Sequence, residues 1–239
     1  MMKSIEVEPG HPEHRVPSAG GATTAAWAGF RNRDTPLGGT IKRGMDVTVA
    51  FTMLVVLSPL LLGLMLLVYA SSSGPVLYRH RRVGYGNRPF NCLKFRTMVI
   101  NGDDVLERHF QRYPDVRCEW EETRKLQDDP RVTATGHVLR KLSLDELPQL
   151  FNVLRGDMSL VGPRPVPADE LRLYGKSRRF YLRSRPGITG LWQVSGRNST
   201  TYRRRVAYDR LYVERFSNAS DMAILAKTLP AAMRSSETS

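Results

Sequence analysis

From Val47 to Ala70 the chain runs for 24 residues without a charged side chain, and Leu, Val and Met dominate the run. No other segment limits the fold so strongly. A straight helix of that length would measure about 36 Å, enough to cross a bilayer core, and it is too long and too apolar for the core helix of a soluble domain. Two features oppose a simple span. Ser58-Pro59 sits inside the run; a proline removes a backbone donor and kinks a helix, while a neighbouring serine hydroxyl can satisfy a freed carbonyl. Both flanks are also basic, Lys42-Arg43 before and Arg79-His80-Arg81-Arg82 after. Positive charge favours the cytoplasmic side, so two basic ends favour a bent helix that enters one leaflet and returns. The residues alone leave both topologies open, a spanning helix and a hairpin.

Net charge is +13, and residues 1–40 contribute nothing to it, with four basic and four acidic side chains. The excess in 41–239 calls for anionic partners: nucleic acid, acidic lipid or phosphorylated substrates. Residues 1–40 are rich in Gly, Pro, Ala and Thr, lack an apolar leader core, and read as a disordered tail. Residues 41–72 form the membrane segment, and 73–239 read as a mixed α/β domain. Val76-Leu77-Tyr78 and Phe90–Val99 look like strands; Asp103–Arg112 and Glu119–Lys125 look helical. Ser143–Arg155 is the best-marked helix. Leu147, Leu150, Phe151 and Leu154 make one apolar stripe, and Gly156 stands where a helix stops. Asp221–Met233 is a last amphipathic stretch suited to an interface or to the core. Cys92 and Cys118 form no metal-ligand or disulfide pattern and read as plain thiols.

The chemistry concentrates at Ser143-Leu144-Asp145-Glu146-Leu147-Pro148. Ser143 and Glu146 have capping-box spacing, and Pro148 is tolerated only near a helix start, which puts two adjacent carboxylates at a helix N-terminus. The plain alternative is dipole complementation by acids. The same place can also collect phosphate oxygens, hold Mg²⁺ through carboxylate oxygens, or attack phosphorus and form an acyl phosphate. Cations to stabilise a transferring phosphoryl group are present in Lys94, Arg96, Arg140, Arg164 (between two prolines) and Arg197, each of which also has a plain reading as solvated charge. Phosphate-loop, dinucleotide, zinc-protease and serine-hydrolase motifs are absent from the sequence.

These residues carry a resemblance. The runs Lys94-Phe95-Arg96-Thr97-Met98, Asp129-Pro130-Arg131-Val132-Thr133, Leu139 to Leu150, Asn152 to Pro165, and Arg185 to Arg197 resemble the bacterial sugar transferase family, the monotopic polyprenyl-phosphate phosphoglycosyl transferases. The likeness covers about 41–230. Compact size and Arg124–Pro130 are most similar to ExoY-type galactosyl-1-phosphate transferases. The resemblance implies a membrane-embedded re-entrant helix broken at Ser58-Pro59 and a small cytoplasmic catalytic domain of mixed α/β fold with amphipathic interfacial helices, on the inner face of the cytoplasmic membrane. It implies a UDP-sugar donor, undecaprenyl phosphate as acceptor, membrane lipid and other exopolysaccharide assembly enzymes as partners, and no nucleic acid. Asp145 is then the nucleophile, and Asp145 with Glu146 holds Mg²⁺. Lys94, Arg96, Arg140, Arg164 and Arg197 bind substrate phosphates. Asp209 and Asp221 match acidic family positions without a clear role. Met45 and Phe216 depart from the pattern at positions that concern docking more than chemistry. Glucose-1-phosphate transfer, a non-catalytic membrane adaptor and a nucleic-acid binder are the competing readings; the last lacks a reader motif.

Overall fold

The apolar run is two helices. In the computed structural model α1 (Gly39–Val56) and α2 (Ser58–Ser71) meet at Leu57 with a bend of 66°. The structure describes residues 35–123, 126, 128–196 and 201–235. Among them no single helix is long and apolar enough to cross a membrane, whereas the bent pair together has the length and composition to enter one. Pro59 has no N–H for the carbonyl of Val55, and the Ser58 hydroxyl donates to that carbonyl instead, at 2.8 Å. One face of α2 is buried: Leu61, Leu64 and Val68 pack on Phe95 and Leu139. The rest looks outward, with Phe51, Val56 and Leu66 exposed by 60%, 69% and 70%. A contiguous apolar surface of this kind marks a lipid or partner face.

Residues 35–40, at the end of the expected tail, are among the described residues. Leu37 packs on the core and its N–H donates to Arg183 O at 3.0 Å; residues 1–34 lie outside the described part. The two basic flanks are also built into the fold. Lys42 is buried and ion-paired with Asp221, with Asp46 at 3.9 Å. Arg43 donates to the carbonyls of Val153 and Leu154 at 2.5 and 2.8 Å. Arg79 to Arg82 belong to a strand, β1 (Leu77–Val83), which pairs antiparallel with β2 (Pro89–Phe95) so that Tyr78 faces Lys94 and His80 faces Cys92. The turn between them runs through positive φ at Gly86 and Asn87.

After β2 the chain leaves extended pairing earlier than the expected Val99, keeping one bridge from Met98 to Val132. Helices α3 (Gly102–Arg112) and α4 (Pro114–Thr123) follow; α4 starts at Pro114, suited to a first helical position, rather than at Glu119. In α5 (Ala134–Lys141) the Thr133 hydroxyl accepts the Gly136 N–H at 2.9 Å as N-cap.

The helix expected from Ser143 does not form there. Leu144–Glu146 is a 3₁₀ turn, and α6 is only Gln149–Arg155, closed by Gly156 at φ 89°. Ser143 takes φ 56° and its side chain caps nothing, so the capping-box reading fails. Pro148 is the reason: its ring would clash with the Leu144 carbonyl in a continuous α-helix. The apolar stripe is also turned. Phe151 is exposed while Leu150, Asn152 and Val153 are buried. Asn152 sets that rotation by accepting the Leu93 N–H at 2.9 Å and donating to Asn91 O at 2.8 Å, which bolts α6 to β2.

β3 (Ser159–Val161) pairs parallel with β4 (Gly187–Thr189), with α7 (Ala168–Arg172) and α8 (Arg178–Tyr181) between them, then α9 (Leu191–Val194), α10 (Tyr202–Glu214) and α11 (Asn218–Ser235). The fold is mixed as expected, but helix-dominated, with two two-stranded sheets among the described residues. The main core gathers Ala50 of α1, Leu150 and Val153 of α6, Leu160 of β3, Tyr212 of α10 and Ile224 of α11.

Lys42 and Asp221 form a buried pair across this core. Removing one partner leaves an uncompensated charge, so Lys42→Met is expected to lower unfolding free energy by about 3–5 kcal/mol, read by denaturant titration in detergent. A loss below about 1 kcal/mol would be that of a solvated pair and contradict the buried one.

Candidate active site

The dyad hangs on the turn between two helices. α5 ends at Leu142, Ser143 steps through its left-handed conformation, and the 3₁₀ turn presents Asp145 and Glu146. A non-glycine residue at positive φ stores roughly 1–3 kcal/mol of backbone strain, and such strain collects at functional sites. Leu144 and Leu147 anchor the turn in the apolar cluster beneath α2.

Lys94, on β2, reaches both carboxylates. Its Nζ lies 2.6 Å from Glu146 Oε1 and 3.6 Å from Asp145 Oδ2. Asp145 is buried and Glu146 is half-exposed. Burial pushes the Asp145 carboxyl above its ordinary pKa and Glu146 adds to the push; Lys94 and Arg140 pull the other way. Burial works against the Lys94 ammonium, but Glu146 and Asp145 outweigh it and hold its pKa above the ordinary lysine value. The three groups thus share charge in a poorly hydrated place.

They line a cavity of about 1030 Å³. Arg140 also lines it, with Nε donating to Thr97 Oγ1 at 2.9 Å. Arg164 lines another stretch of the wall, its guanidinium carbon 5.8 Å from the Trp192 ring centroid. Its loop is placed by close backbone contact: a Cβ on Gly162 would meet Arg185 O at 2.4 Å, and one on Gly187 would meet Gly162 N at 2.1 Å. Trp192 Nε1 and Gln193 Oε1 are buried at the same wall with no hydrogen-bond partner among the described residues.

The structure therefore brings Lys94, Arg140, Asp145, Glu146 and Arg164 to one cavity. Arg96 borders it but is engaged elsewhere: its guanidinium donates to Pro75 O, to Ser72 O at 2.5 Å and to Ser72 Oγ at 2.9 Å, closing the C-terminal end of α2. Arg197 lies outside the described residues. Asp209 and Asp221 are buried in the frame and face other groups. Asp221 accepts from Lys42 and from the Tyr212 hydroxyl; Asp209 accepts from the Tyr174 hydroxyl at 2.8 Å and from the Arg164 backbone. His80, Arg82 and Arg205 also line the cavity and were not singled out from the sequence. The alternation of Tyr78, His80 and Arg82 at every second position was the available signal for the first two. Burial pushes the Cys92 thiol up to about 11, which keeps it a neutral, unreactive group in the cavity wall.

Two carboxylates with hard oxygen donors fit Mg²⁺ when substrate phosphates and water complete the shell. Among the described residues there is no cluster of three or more His, Cys, Asp or Glu that would bind a metal unaided.

The family model for "Bacterial sugar transferase" matches residues 37–235. The exopolysaccharide production protein ExoY of Sinorhizobium fredii is 58% identical over 196 residues, 82% of this chain and 87% of that protein. The chain belongs to the bacterial sugar transferase family. It is of the ExoY type within it. Similarity extends to the undecaprenyl-phosphate galactose phosphotransferase of Salmonella typhimurium, 48% identical over 81% of this chain and 40% of that protein. It extends also to the UDP-galactose-lipid carrier transferase of Erwinia amylovora, 49% identical over 79% of this chain and 39% of that protein.

In this sugar transferase Asp209 supports the Arg164 loop from behind. Burial pushes its carboxyl up to about 7, against the Tyr174 hydroxyl and Arg164, which favour the charged form. A folded pKa above the unfolded value near 4 means the folded state binds the extra proton, so Asp209 opposes folding increasingly as pH rises from about 4 to about 7. The stability of the wild type relative to Asp209→Asn is expected to fall across that window and level off above it, measured by denaturant unfolding at each pH. A difference that stays flat would place the Asp209 pKa in the ordinary range.

Proposed function

We propose that this sugar transferase moves a hexose-1-phosphate, galactose-1-phosphate in preference to glucose-1-phosphate, from a UDP-sugar to undecaprenyl phosphate and so starts exopolysaccharide synthesis. One observation carries the reading: two adjacent carboxylates, one of them buried, share a single lysine ammonium on the wall of a cavity lined with arginines. A membrane adaptor has no use for a desolvated carboxylate on a strained turn. The names of the Salmonella and Erwinia relatives support the acceptor and the galactosyl donor.

In the first step an Asp145 carboxylate oxygen attacks the sugar-bearing phosphorus. The new O–P bond forms as the bridging P–O bond breaks, and UMP leaves with the electron pair. In the second step an oxygen of the polyprenyl phosphate attacks the same phosphorus and the aspartate departs as carboxylate. Poor hydration at Asp145 favours the attack, because less solvent must be stripped from the oxygen. Lys94 orients the carboxylates and offsets charge on the phosphoryl oxygens. Mg²⁺ bound by Asp145 and Glu146 would supply further charge neutralisation for the phosphates.

The acceptor's phosphate lies at the bilayer interface and its isoprenoid tail in lipid. The bent α1–α2 pair is read as a re-entrant hairpin whose exposed apolar faces lie in the cytoplasmic leaflet. Seated on the dyad's own turn, it holds the nucleophile at phosphate depth. The chemistry is tested with UDP-galactose alone. Intact-protein mass should rise by one phosphohexose on the Asp145 peptide, and Asp145→Asn should lose both the adduct and UMP release by on the order of 10³-fold. Equal UMP release by the variant would end the covalent scheme. The hairpin is tested separately: reporters at residues 1 and 239 should both read cytoplasmic, and a periplasmic N-terminus would mean a span.

A further inference from the structure

The hairpin β1–β2 presents Tyr78, His80 and Arg82 to the cavity on the face that carries Cys92 and Lys94. Lys94 belongs to the dyad. The Arg82 backbone sits four residues along β1 from the Tyr78–Lys94 row, about 13 Å away. Its guanidinium leans back toward that row, with Nη2 3.2 Å from His80 Nδ1. Arginine can only donate, so Nδ1 accepts and the proton of a neutral imidazole sits on Nε2. Burial, then the charges of Arg82 and Lys94, hold the His80 pKa below its ordinary value, which favours that neutral ring.

Two more guanidiniums come from other elements. Arg164, from the loop after β3, and Arg205, from α10, lie over the same indole, 5.8 and 4.8 Å from the Trp192 centroid. The charge of Arg164 is felt at Arg82, where it adds to burial in lowering the guanidinium's pKa. Of the nearby acids, Glu170 acts on Arg82 from a distance, and Asp209 is committed to the Tyr174 hydroxyl and the Arg164 backbone. Three like charges on one concave wall make a site for an anion. The neighbouring Trp192 N–H and Gln193 amide oxygen, unmatched among the described residues, add one donor and one acceptor. That pairing suits a nucleobase edge such as the N–H and C=O of uracil, which a lipid phosphate lacks.

We propose that Arg82, Arg164 and Arg205 hold the phosphate that leaves with the nucleotide, beside a base seated at Trp192 and Gln193, apart from the phosphoryl group bound for Asp145. This rests on the nucleotide-donor reading above. Arg82 and Arg205 become product-site residues: they grip UMP, and the acceptor's phosphate, which must approach in line with the Asp145 oxygen, enters from the side that UMP has left.

The test uses the full-length protein in detergent, with UMP, uridine and inorganic phosphate as probes for calorimetric titration. Arg82→Gln and Arg205→Gln should each weaken UMP by about tenfold or more and leave the weak binding of uridine unchanged. Lys176→Gln, an exposed control, should bind like the wild type. Arg205 is half-buried on α10, and unchanged thermal unfolding of its variant keeps the test readable if Arg82→Gln misfolds. Wild-type UMP affinity in both variants would overturn the subsite. If the wild-type protein binds inorganic phosphate through these arginines but neither UMP nor UDP-sugar, the donor reading fails and the nucleotide assignment goes with it.

Discussion

Arg96 holds the apolar helix α2 to the strand that carries Lys94. From just past β2, two residues beyond Lys94, its guanidinium donates to the carbonyl of Ser72, the C-cap of α2, and reaches Val68 O in the last turn at 3.5 Å. A helix end leaves backbone acceptors unmatched. Matching them with a buried arginine fixes both the position of α2 and the strand that carries the dyad's cation. The apolar face of α2 completes the attachment through Leu61, Leu64 and Val68, which rest on Phe95 and Leu139 and reach Leu144 and Leu147 on either side of the dyad. Under the proposed re-entrant reading, depth in the bilayer and position of Asp145 are thereby one variable. An enzyme whose two substrates meet at a lipid–water boundary gains from that coupling, since side chains displaced by 1 Å lose much of their catalytic advantage.

The same economy governs the other charges at the membrane segment. A chain with a net charge of +13 invites the expectation that its basic residues meet lipid phosphates. Lys42, Arg43 and Arg96 instead satisfy acids and helix ends inside the protein. Lys42 is strongly held because both its partners are buried with it. Other cations gather on the cavity wall, at Lys94, Arg140, Arg164, Arg82 and Arg205. Spending cations on the frame sharpens the electrostatic contrast of the cavity.

What the sequence made legible was local. Ser58-Pro59 marked the bend because proline's missing donor acts within one turn, and the serine hydroxyl bonds the carbonyl the argument requires. Gly156 marked a helix end because only a residue at ease with positive φ fits there. Asp145-Glu146 stood out as adjacent acids among scattered cations. Illegible were the contacts that span the chain. Lys42 meets Asp221 across 179 positions, and Arg96 meets Ser72 across 24. No periodicity encodes such pairings; they follow from packing. Arg79 to Arg82 misled for a related reason. A run of charge reads as a solvated flank, yet a strand turns alternate members inward, and His80 and Arg82 are the inward ones.

The error at Ser143 changes the chemistry more than the geometry. A dyad at the start of a regular helix would owe its electrostatics to backbone N–H groups and the dipole. The observed turn has no such row of donors, because Pro148 prevents the helix from reaching back to Ser143. The positive field at Asp145 comes instead from side chains, Lys94 in contact and Arg140 further off. Side-chain cations can be redistributed during turnover, whereas a helix dipole is fixed. Lys94 touches both carboxylates and is held more tightly by Glu146 than by Asp145. In the proposed reaction, as phosphorus bonds to Asp145, that carboxylate loses its charge and its hold on Lys94 weakens. The ammonium is then left to Glu146 and to the phosphoryl oxygens, where negative charge now resides. In that scheme a mobile cation beside a carboxylate on a strained turn serves the forward and the return transfer from one position, without rebuilding the site between them.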